Sequence, residues 1–493
     1  MTSPETTFST NRLTLTSRLA MILPTHCLLI DEEDLRPYEC DGLTAYRELP
    51  LAVCLPETEG QVIDVLRTCH QLGVPVVARG AGTGLSGGAM PHAQGVVLSL
   101  ARFSKILRVD RAARLAVVQP GVRNLAVSEA AAPFGLYYAP DPSSQIACTL
   151  GGNVAENSGG VHCLKYGLTV HNVLRLRVVS IEGEIFEIGS AAPDASGYDL
   201  LALMIGSEGM LGVVTEVTLK LLPKPALAQV VMASFNDVGQ AGEAVADIIA
   251  AGIIPAGLEM MDRAATAAVE PYVKAGYDLN AAAILLCESD GTPEEVAEEI
   301  LRVTAVLTAA GASEIRVSQS ESERLRFWAG RKAAFPAVGR ITPDYYCMDG
   351  TIPRKRLAEM LTAISDMERK YSLRCANVFH AGDGNLHPLI MYDAAKPGEW
   401  ARAEAFGVEI LELSVALGGS ITGEHGVGIE KINQMCVQYK TPELEAFHRI
   451  KAAFDETGLL NPGKAVPSLH RCAEYGRMHV HHGATKFPEL ERF

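Results

Sequence analysis

The sequence predicts an α+β protein built of two unlike halves, and three observations predict it. Between residues 51 and 223, short apolar strands alternate with amphipathic and glycine-rich stretches. A proline-punctuated linker, LPKPA at residues 222–226, then changes the character of the chain. Beyond it, Ala-rich helical stretches alternate with short strands, the pattern of an α+β domain on an antiparallel sheet. A chain of 493 residues also exceeds the size at which one core keeps growing, so two or three domains are expected.

Residues 1–45 read as a leading helix and an acidic connector. LAVCLP at 51–56 reads as a strand, and ETEGQVIDVLRTCHQLG at 57–73 as a helix stopped by its final glycine. VPVVARG at 74–80 is a buried strand running into glycines, which completes a βαβ-like rhythm. Further strands are expected at GVVLSL, LAVVQP, LRLRVVS and EIFEIG, and VVTEVTLKLLP, ending at Pro223, closes the first half. After the linker, helices are expected at 238–251 and 293–310, with strands at AAAILLCES and ANVFHA. The resulting limits are 1–45, 46–225, 226–465, and a polar tail at 466–493 that carries His479, His481 and His482.

Composition excludes several functions. The net charge of −15, with Lys and Arg scattered, opposes binding to a phosphate backbone and so argues against nucleic acid. The chain has eleven cysteines, an odd number, and no CxxC, so reduced thiols in the cytoplasm are expected, and no usual spacing could ligate an iron–sulfur cluster. The apolar stretch at 19–30 is broken by Pro24, Thr25 and His26 and does not read as a signal peptide. No apolar run is long enough to span a bilayer, so membrane association would be peripheral or through a partner.

Four segments carry most of the chemistry. RGAGTGLSGG at 79–88 supplies Arg79, Gly80, Gly82, Thr83, Gly84, Leu85, Ser86, Gly87 and Gly88. Its substring GTGLSG matches GxGxxG, but a Rossmann loop must open a helix, and Pro91 follows. No GK[ST] closes it either, so it reads as a nest of backbone N–H groups for a diphosphate. PDPSSQIACTLGGNVAENSGG at 140–160 has almost no bulk and reads as a wall for a flat ligand, with Ser143, Ser144, Thr149, Asn153 and Asn157 offering hydrogen bonds. HAGDGNLHPL at 380–389 and GGSITGEHGVGIEK at 418–431 bring two histidines, a glutamate and a further histidine into glycine-rich turns. That is a ligand set for a borderline cation such as Zn²⁺ or Mn²⁺, with a spare base beside the glutamate.

Weaker signals complete the reading. IGSEGMLGVV, from residue 205, is a glycine-rich entry to a strand and says little alone. FWAGRKAAFPA at 327–337 holds Arg331 in an apolar frame: either its stem packs with its head in water, or it clamps a carboxylate. His26, His70, His92, His162, His171 and His448 lack such company and read as structural.

Taken together, DYYCMDGTIP, VFHAGDGNLHPLI, GGSITGEHGVG and EKINQMC, with LHRCAEYGRMHVHHG and FPELERF in the tail, identify a family. From about residue 40 onward the chain resembles the FAD-linked oxidases of the vanillyl-alcohol oxidase/PCMH superfamily. Within them it resembles the D-2-hydroxyacid dehydrogenase branch, and there the members that oxidise glycolate. The resemblance implies a two-part PCMH-type FAD-binding domain at 46–225, followed by an α+β substrate or cap domain. It implies that 79–88 holds the FAD diphosphate and that Pro140, Asp141, Ser143, Ser144, Thr149, Gly152, Asn153, Asn157 and Gly159 lie along the flavin. Gly209 to Val214 would lie near the adenine, and Asn461 would approach from the C-terminal end. No histidine of the glycine-rich loop matches a covalent attachment site, so the FAD is expected to be non-covalent.

The same resemblance implies His380, His387 and Glu424 as metal ligands, His425 as the catalytic base and Arg331 as the grip on the substrate carboxylate. Phe335 and Cys347 stand where relatives that take a second carboxylate carry Thr and Lys, which favours glycolate or D-lactate. The implied reaction is hydride transfer from the hydroxy acid to flavin, giving glyoxylate or pyruvate. The implied partners are a second flavoprotein-like subunit and an iron–sulfur subunit that pass electrons to membrane quinone. The chain would then be cytoplasmic and peripheral at the inner membrane. A D-lactate dehydrogenase, a non-catalytic flavin- or metal-binding scaffold and a nicotinamide-dependent dehydrogenase remain as alternatives.

Overall fold

Strict alternation of buried side chains builds the largest layer of the molecule. In the computed structural model, which describes residues 12–192 and 196–468, the strand Leu227–Phe235 sends Val231, Ala233 and Phe235 to one core and Val230 and Met232 to another. That is the period of two that a strand buried on both faces requires. It belongs to a seven-stranded sheet in the order Glu314–Val317, Leu227–Phe235, Ala283–Gly291, Gly257–Asp262, Arg374–His380, Asn385–Tyr392, Asp344–Cys347. Every ladder in it is antiparallel, as expected.

Helices cover both faces of this sheet. One face takes Val238–Ala250, Pro293–Ala309, Leu357–Tyr371 and Glu399–Ala416. Val238–Ala250 buries Ala241, Ala244, Val245 and Ile248, the spacing of a helical stripe, and Asp237 caps it by accepting from Gln240 N. The other face takes Arg263–Val273, Glu321–Lys332 and Ala334–Val338.

The first half holds three further sheets, the smallest being the antiparallel pair Leu136–Tyr137 and Leu222–Pro223. In the four-stranded one, Ala52–Cys54 and Val76–Arg79 both run parallel to Val96–Ser99, and Glu59–Leu72 is the crossover helix. Thr58 opens that helix with a capping box, and Gly73 closes it at φ 64°. The βαβ rhythm stops there. The five-stranded sheet, in the order Ile106–Asp110, Leu115–Val118, Val213–Lys220, Val173–Val179, Ile185–Gly189, is antiparallel throughout. Ile106–Asp110 and Leu115–Val118 are joined by a turn too short for a crossover.

The chain returns to this half at its end. Leu459 and Leu460 enter the core of the four-stranded sheet, where Leu460 bridges to Val76. Ile450 and Phe454, from the helix Thr441–Phe454, pack on the five-stranded sheet. The range 226–465 therefore divides in space, because its last apolar residues complete cores begun by the first half. The leading helix Arg12–Ile22 buries Leu15 and Leu19 in the same core as Leu460.

Nine cysteines from Cys27 to Cys375 are free. Cys436 is disulfide-bonded, which departs from the expectation of reduced thiols throughout, since spacing along a chain does not show which sulfurs the fold brings together. Among the described residues no helix is long and apolar enough to cross a membrane. The histidine-bearing tail at 469–493 lies outside the described residues.

Candidate active site

Where the strand Val76–Arg79 ends, the glycine-rich loop opens one wall of a cavity of about 390 Å³. Arg79, Gly80, Gly82, Thr83, Gly84, Leu85 and Gly88 line that wall. A Cβ added at Gly80 would collide with Thr149 Oγ1, and Gly82 adopts φ 71° with the Arg79 guanidinium packed against it. Ser143, Ser144, Thr149, Gly152 and Asn153 line the facing wall, and Gly209 and Val214 a third side. The facing wall is not all loop, because Leu150–Glu156 is helical. Leu150 and Val154 bury against the five-stranded sheet, and this packing overrides the low helix propensity of Gly151 and Gly152.

This cavity suits a ligand that brings polar groups of its own. Thr149 Oγ1, Asn153 Nδ2 and Glu156 Oε2 are buried on its walls without a hydrogen-bond partner. Buried polar atoms rarely stay unpaired, so three on one cavity mark where a ligand completes them.

Seven expected cofactor residues do not line the cavity. The Ser86 carbonyl accepts from the N–H groups of Ile429 and Glu430, and Gly87 abuts the Ile429 side chain. The Pro140 carbonyl accepts from Asn124 Nδ2 at 3.0 Å. Asp141 pairs with His162 Nδ1 at 2.7 Å. Asn157 ends the short helix at φ 53° and accepts from Val170 N. Asn461 Nδ2 donates to the carbonyls of Gly88 and Glu208. Gly159 abuts Glu424, whose Oε2 would lie 2.5 Å from any Cβ there. These residues hold walls and loops together rather than facing the space.

At one end the cavity is closed by His387, Glu424 and His425, with Lys332, Phe335 and Pro336. His387 stands on Asn385–Tyr392, and His380 ends the neighbouring strand Arg374–His380. His380 Nε2 and His387 Nε2 lie 3.2 and 3.0 Å from the same oxygen, Glu424 Oε1. Each ring's other nitrogen is engaged. His380 Nδ1 donates to Glu259 Oε1 at 2.7 Å, and His387 Nδ1 lies 3.2 Å from the Met348 carbonyl. Two imidazoles thus present Nε2 to one carboxylate with their orientation set from behind, which fits a divalent ion. His380 itself does not line the cavity.

His425 stacks on His387, with ring centroids 5.0 Å apart, and its Nδ1 is buried without a partner. Burial, with help from His387 and Lys431, pushes its pKa down to about 4, so the ring is neutral near pH 7. For His380 burial opposes the charge, but Glu259 and Glu424 outweigh it and bring the pKa up to about 10.

Two acids that sequence reasoning missed hold the loop bearing Glu424 and His425. Asp349, just beyond the strand Asp344–Cys347, accepts from the backbone N–H of Gly423, Glu424 and His425. It also accepts from the Thr422 hydroxyl and sits 3.4 Å from Lys431 Nζ. Its ligand atoms lie within 4.8 Å of those of His387, Glu424 and His425, but these bonds make it an anchor. Glu208, from the first half, accepts from Val427 N and Gly428 N, each at 2.7 Å. The acids in DYYCMDG and GSEGML were signals, but nothing in their spacing points to residues 423–428.

Arg331 is 1% exposed and lies behind the wall rather than on it. Its Nε donates to Glu259 Oε2 at 2.6 Å, while Nη2 is buried without a partner. The open reading of its head in water does not hold, because the helix Glu321–Lys332 turns it into the core. Phe335 lines the cavity. Cys347 Sγ donates to the Met348 carbonyl at 3.4 Å.

A family model described as an FAD binding domain matches residues 50–189, and one described as FAD linked oxidases, C-terminal domain, matches 224–465. Glycolate oxidase subunit GlcD of Escherichia coli K12 is 63% identical over 466 residues, covering 94% of this chain and 93% of that protein. The chain belongs to the FAD-linked oxidases. A D-lactate dehydrogenase of Anaerostipes hadrus is 32% identical, over 90% of this chain and 95% of that protein. In structure, this FAD-linked oxidase matches p-cresol methylhydroxylase with substrate bound at a TM-score of 0.79, over 93% of this chain and 97% of that one. At 18% identity that likeness concerns the fold, and the fold is the expected PCMH type. This FAD-linked oxidase binds FAD and is an FAD-dependent oxidoreductase.

Proposed function

We propose that this FAD-linked oxidase oxidises a short 2-hydroxy acid, glycolate before D-lactate, at the histidine end of the cavity. One observation carries the reading: the glycine cradle and the His387–Glu424–His425 end line the same cavity. FAD bound without a covalent link, its diphosphate on residues 79–88, supplies the two-electron acceptor. A divalent ion such as Zn²⁺ or Mn²⁺, on His380, His387 and Glu424, would supply Lewis acidity toward the 2-hydroxyl. Glu259 and the Met348 carbonyl keep both imidazoles turned so that Nε2 faces Glu424.

His425 accepts the hydroxyl proton at the Nδ1 that lacks any other partner. Arg331 stands behind the wall, so to grip the substrate carboxylate it would have to turn its unpaired Nη2 toward the cavity, its Nε being occupied by Glu259. Phe335 gives a second carboxylate nothing to pair with, which favours short acids. Asp349 and Glu208 hold the loop from both flanks, so Glu424 and His425 keep their places as protons move.

Electrons then leave to partners. The Escherichia coli relative is named a subunit of a glycolate oxidase, and we extend that to a complex with a second flavoprotein-like subunit and an iron–sulfur subunit. Quinone would be the final acceptor, with the chain cytoplasmic and peripheral at the inner membrane.

Anaerobic bleaching of the purified yellow protein tests the reading. Glycolate should bleach the flavin fastest and D-lactate next, with L-lactate and D-2-hydroxyglutarate slow. D-lactate outpacing glycolate would support the second reading, a D-lactate dehydrogenase, which the Anaerostipes hadrus relative favours. No bleaching by any of the four would leave a scaffold subunit.

A further inference from the structure

One buried carboxylate stands between the two groups assigned to opposite ends of the substrate. Glu259 lies on Gly257–Asp262, which pairs antiparallel with Arg374–His380 so that Met260 faces Phe379 and Met261 faces Val378. Carrying that register one step further sets Glu259 beside His380. Its side chain is 1% exposed, and both oxygens are engaged: Oε1 accepts from His380 Nδ1 at 2.7 Å, and Oε2 from Arg331 Nε at 2.6 Å. The remaining nitrogen of the imidazole, Nε2, points to Glu424 Oε1. Nη2 of the guanidinium is buried and unpaired.

We propose that Glu259 is a positioning residue that couples the metal ligand His380 to the carboxylate grip Arg331. The inference rests on the reading of a divalent ion at His380, His387 and Glu424. A carboxylate on Nδ1–H holds the proton on that nitrogen, which leaves the Nε2 lone pair for an ion and raises its basicity. The same carboxylate neutralises a guanidinium that has no other ion-pair partner among the described residues, and it fixes the fork so that Nη2 stays free. Without Glu259 the imidazole could take its other tautomer, and the arginine would be a buried, uncompensated charge. A buried ion pair serving only the fold would be dispensable once both charges were replaced by apolar groups of similar size. A residue that orients His380 would not.

That contrast gives the experiment. Zn²⁺ affinity of the metal-stripped full-length holoprotein is measured against a competing chelator for wild type, Glu259→Gln and the double variant Glu259→Leu/Arg331→Leu. Thermal unfolding of each metal-free form is recorded alongside. Glu259→Gln should weaken Zn²⁺ binding about 10- to 100-fold and lower the melting temperature. The double variant, free of both buried charges, should regain the metal-free melting temperature yet keep the Zn²⁺ defect. In steady state, Glu259→Gln should also raise KM for glycolate, as the guanidinium loses its anchor. If the double variant binds Zn²⁺ within twofold of wild type, Glu259 is half of a structural ion pair and the inference is overturned. If wild type itself takes up no Zn²⁺, the metal reading falls and the inference with it, a result distinguishable because it appears before any substitution. Should Glu259→Gln not fold, the double variant alone decides.

Discussion

The two ends of the cavity are built by opposite means. The cradle end is made of what is missing: Gly80, Gly82, Gly84, Gly88 and Gly152 leave space and expose backbone. The histidine end is made of side chains, His380 and His387 on adjacent strands and Glu424 and His425 on a loop, each braced by a buried acid or a backbone carbonyl. A site that accepts a large, phosphate-bearing ligand needs room and N–H groups. A site that moves a proton needs a few groups held to within fractions of an ångström. Changes at the first end should therefore fail in binding, and changes at the second in rate.

The largest expected effect breaks the comparison cleanly. His425→Ala should cut anaerobic flavin reduction by glycolate about 10²- to 10⁴-fold, the usual worth of a general base, with the FAD content of the purified protein unchanged. Loss of the yellow colour instead would mean that the two ends are not separable. Gly82→Val places a branched side chain at φ 71° against Arg79. It should weaken FAD binding about a hundredfold, read from the 450 to 280 nm absorbance ratio, while Zn²⁺ uptake persists.

A smaller effect is expected of Asp349→Asn. The amide keeps one acceptor for three backbone N–H groups and loses the charge facing Lys431. Turnover should fall about tenfold with FAD retained. An unchanged rate would show that the loop holds its shape through Glu208 and Ser86 alone.

The smallest effect concerns what joins the halves. His162, from the first half, bridges Asp141 and Glu288, which lies on the large sheet. Burial would raise the Glu288 pKa, but His162, Arg324 and Trp328 bring it down to about 2 from 4.5. A carboxyl lowered on folding adds stability that is present above pH 4.5 and is lost as pH falls toward 2. Between those limits the melting temperature of wild type should drop more steeply than that of Glu288→Gln; equal slopes would remove the bridge from the account.

Local signals made much of this legible. The helix Glu59–Leu72 could be placed because Thr58 and Gly73 punctuate it, and the strands around it because their apolar runs are continuous. The glycine loop and the histidine pair could be found because each is dense in one residue type within about ten positions. Leu150–Glu156 was hidden, since two glycines signal a loop and only the sheet beneath makes them helical. Asp349, Glu208 and Glu259 were hidden for another reason. An acid in a sequence carries no mark of which backbone N–H, imidazole or guanidinium it will meet 72 to 220 residues away.

The sequence by itself determined the α+β class and the family, and it marked the glycine-rich loop and the His/Glu segments as candidates, because these are written in patterns a few residues long. Tertiary structure alone decided that the cradle, His387 and His425 share one cavity, that the last strand-like residues return to the first sheet, and that Arg331 turns inward to Glu259. The physical reason is range. Propensity, capping and periodicity act over one or two turns, whereas a buried charge finds its partner only when two distant segments are pressed together and water is removed from between them.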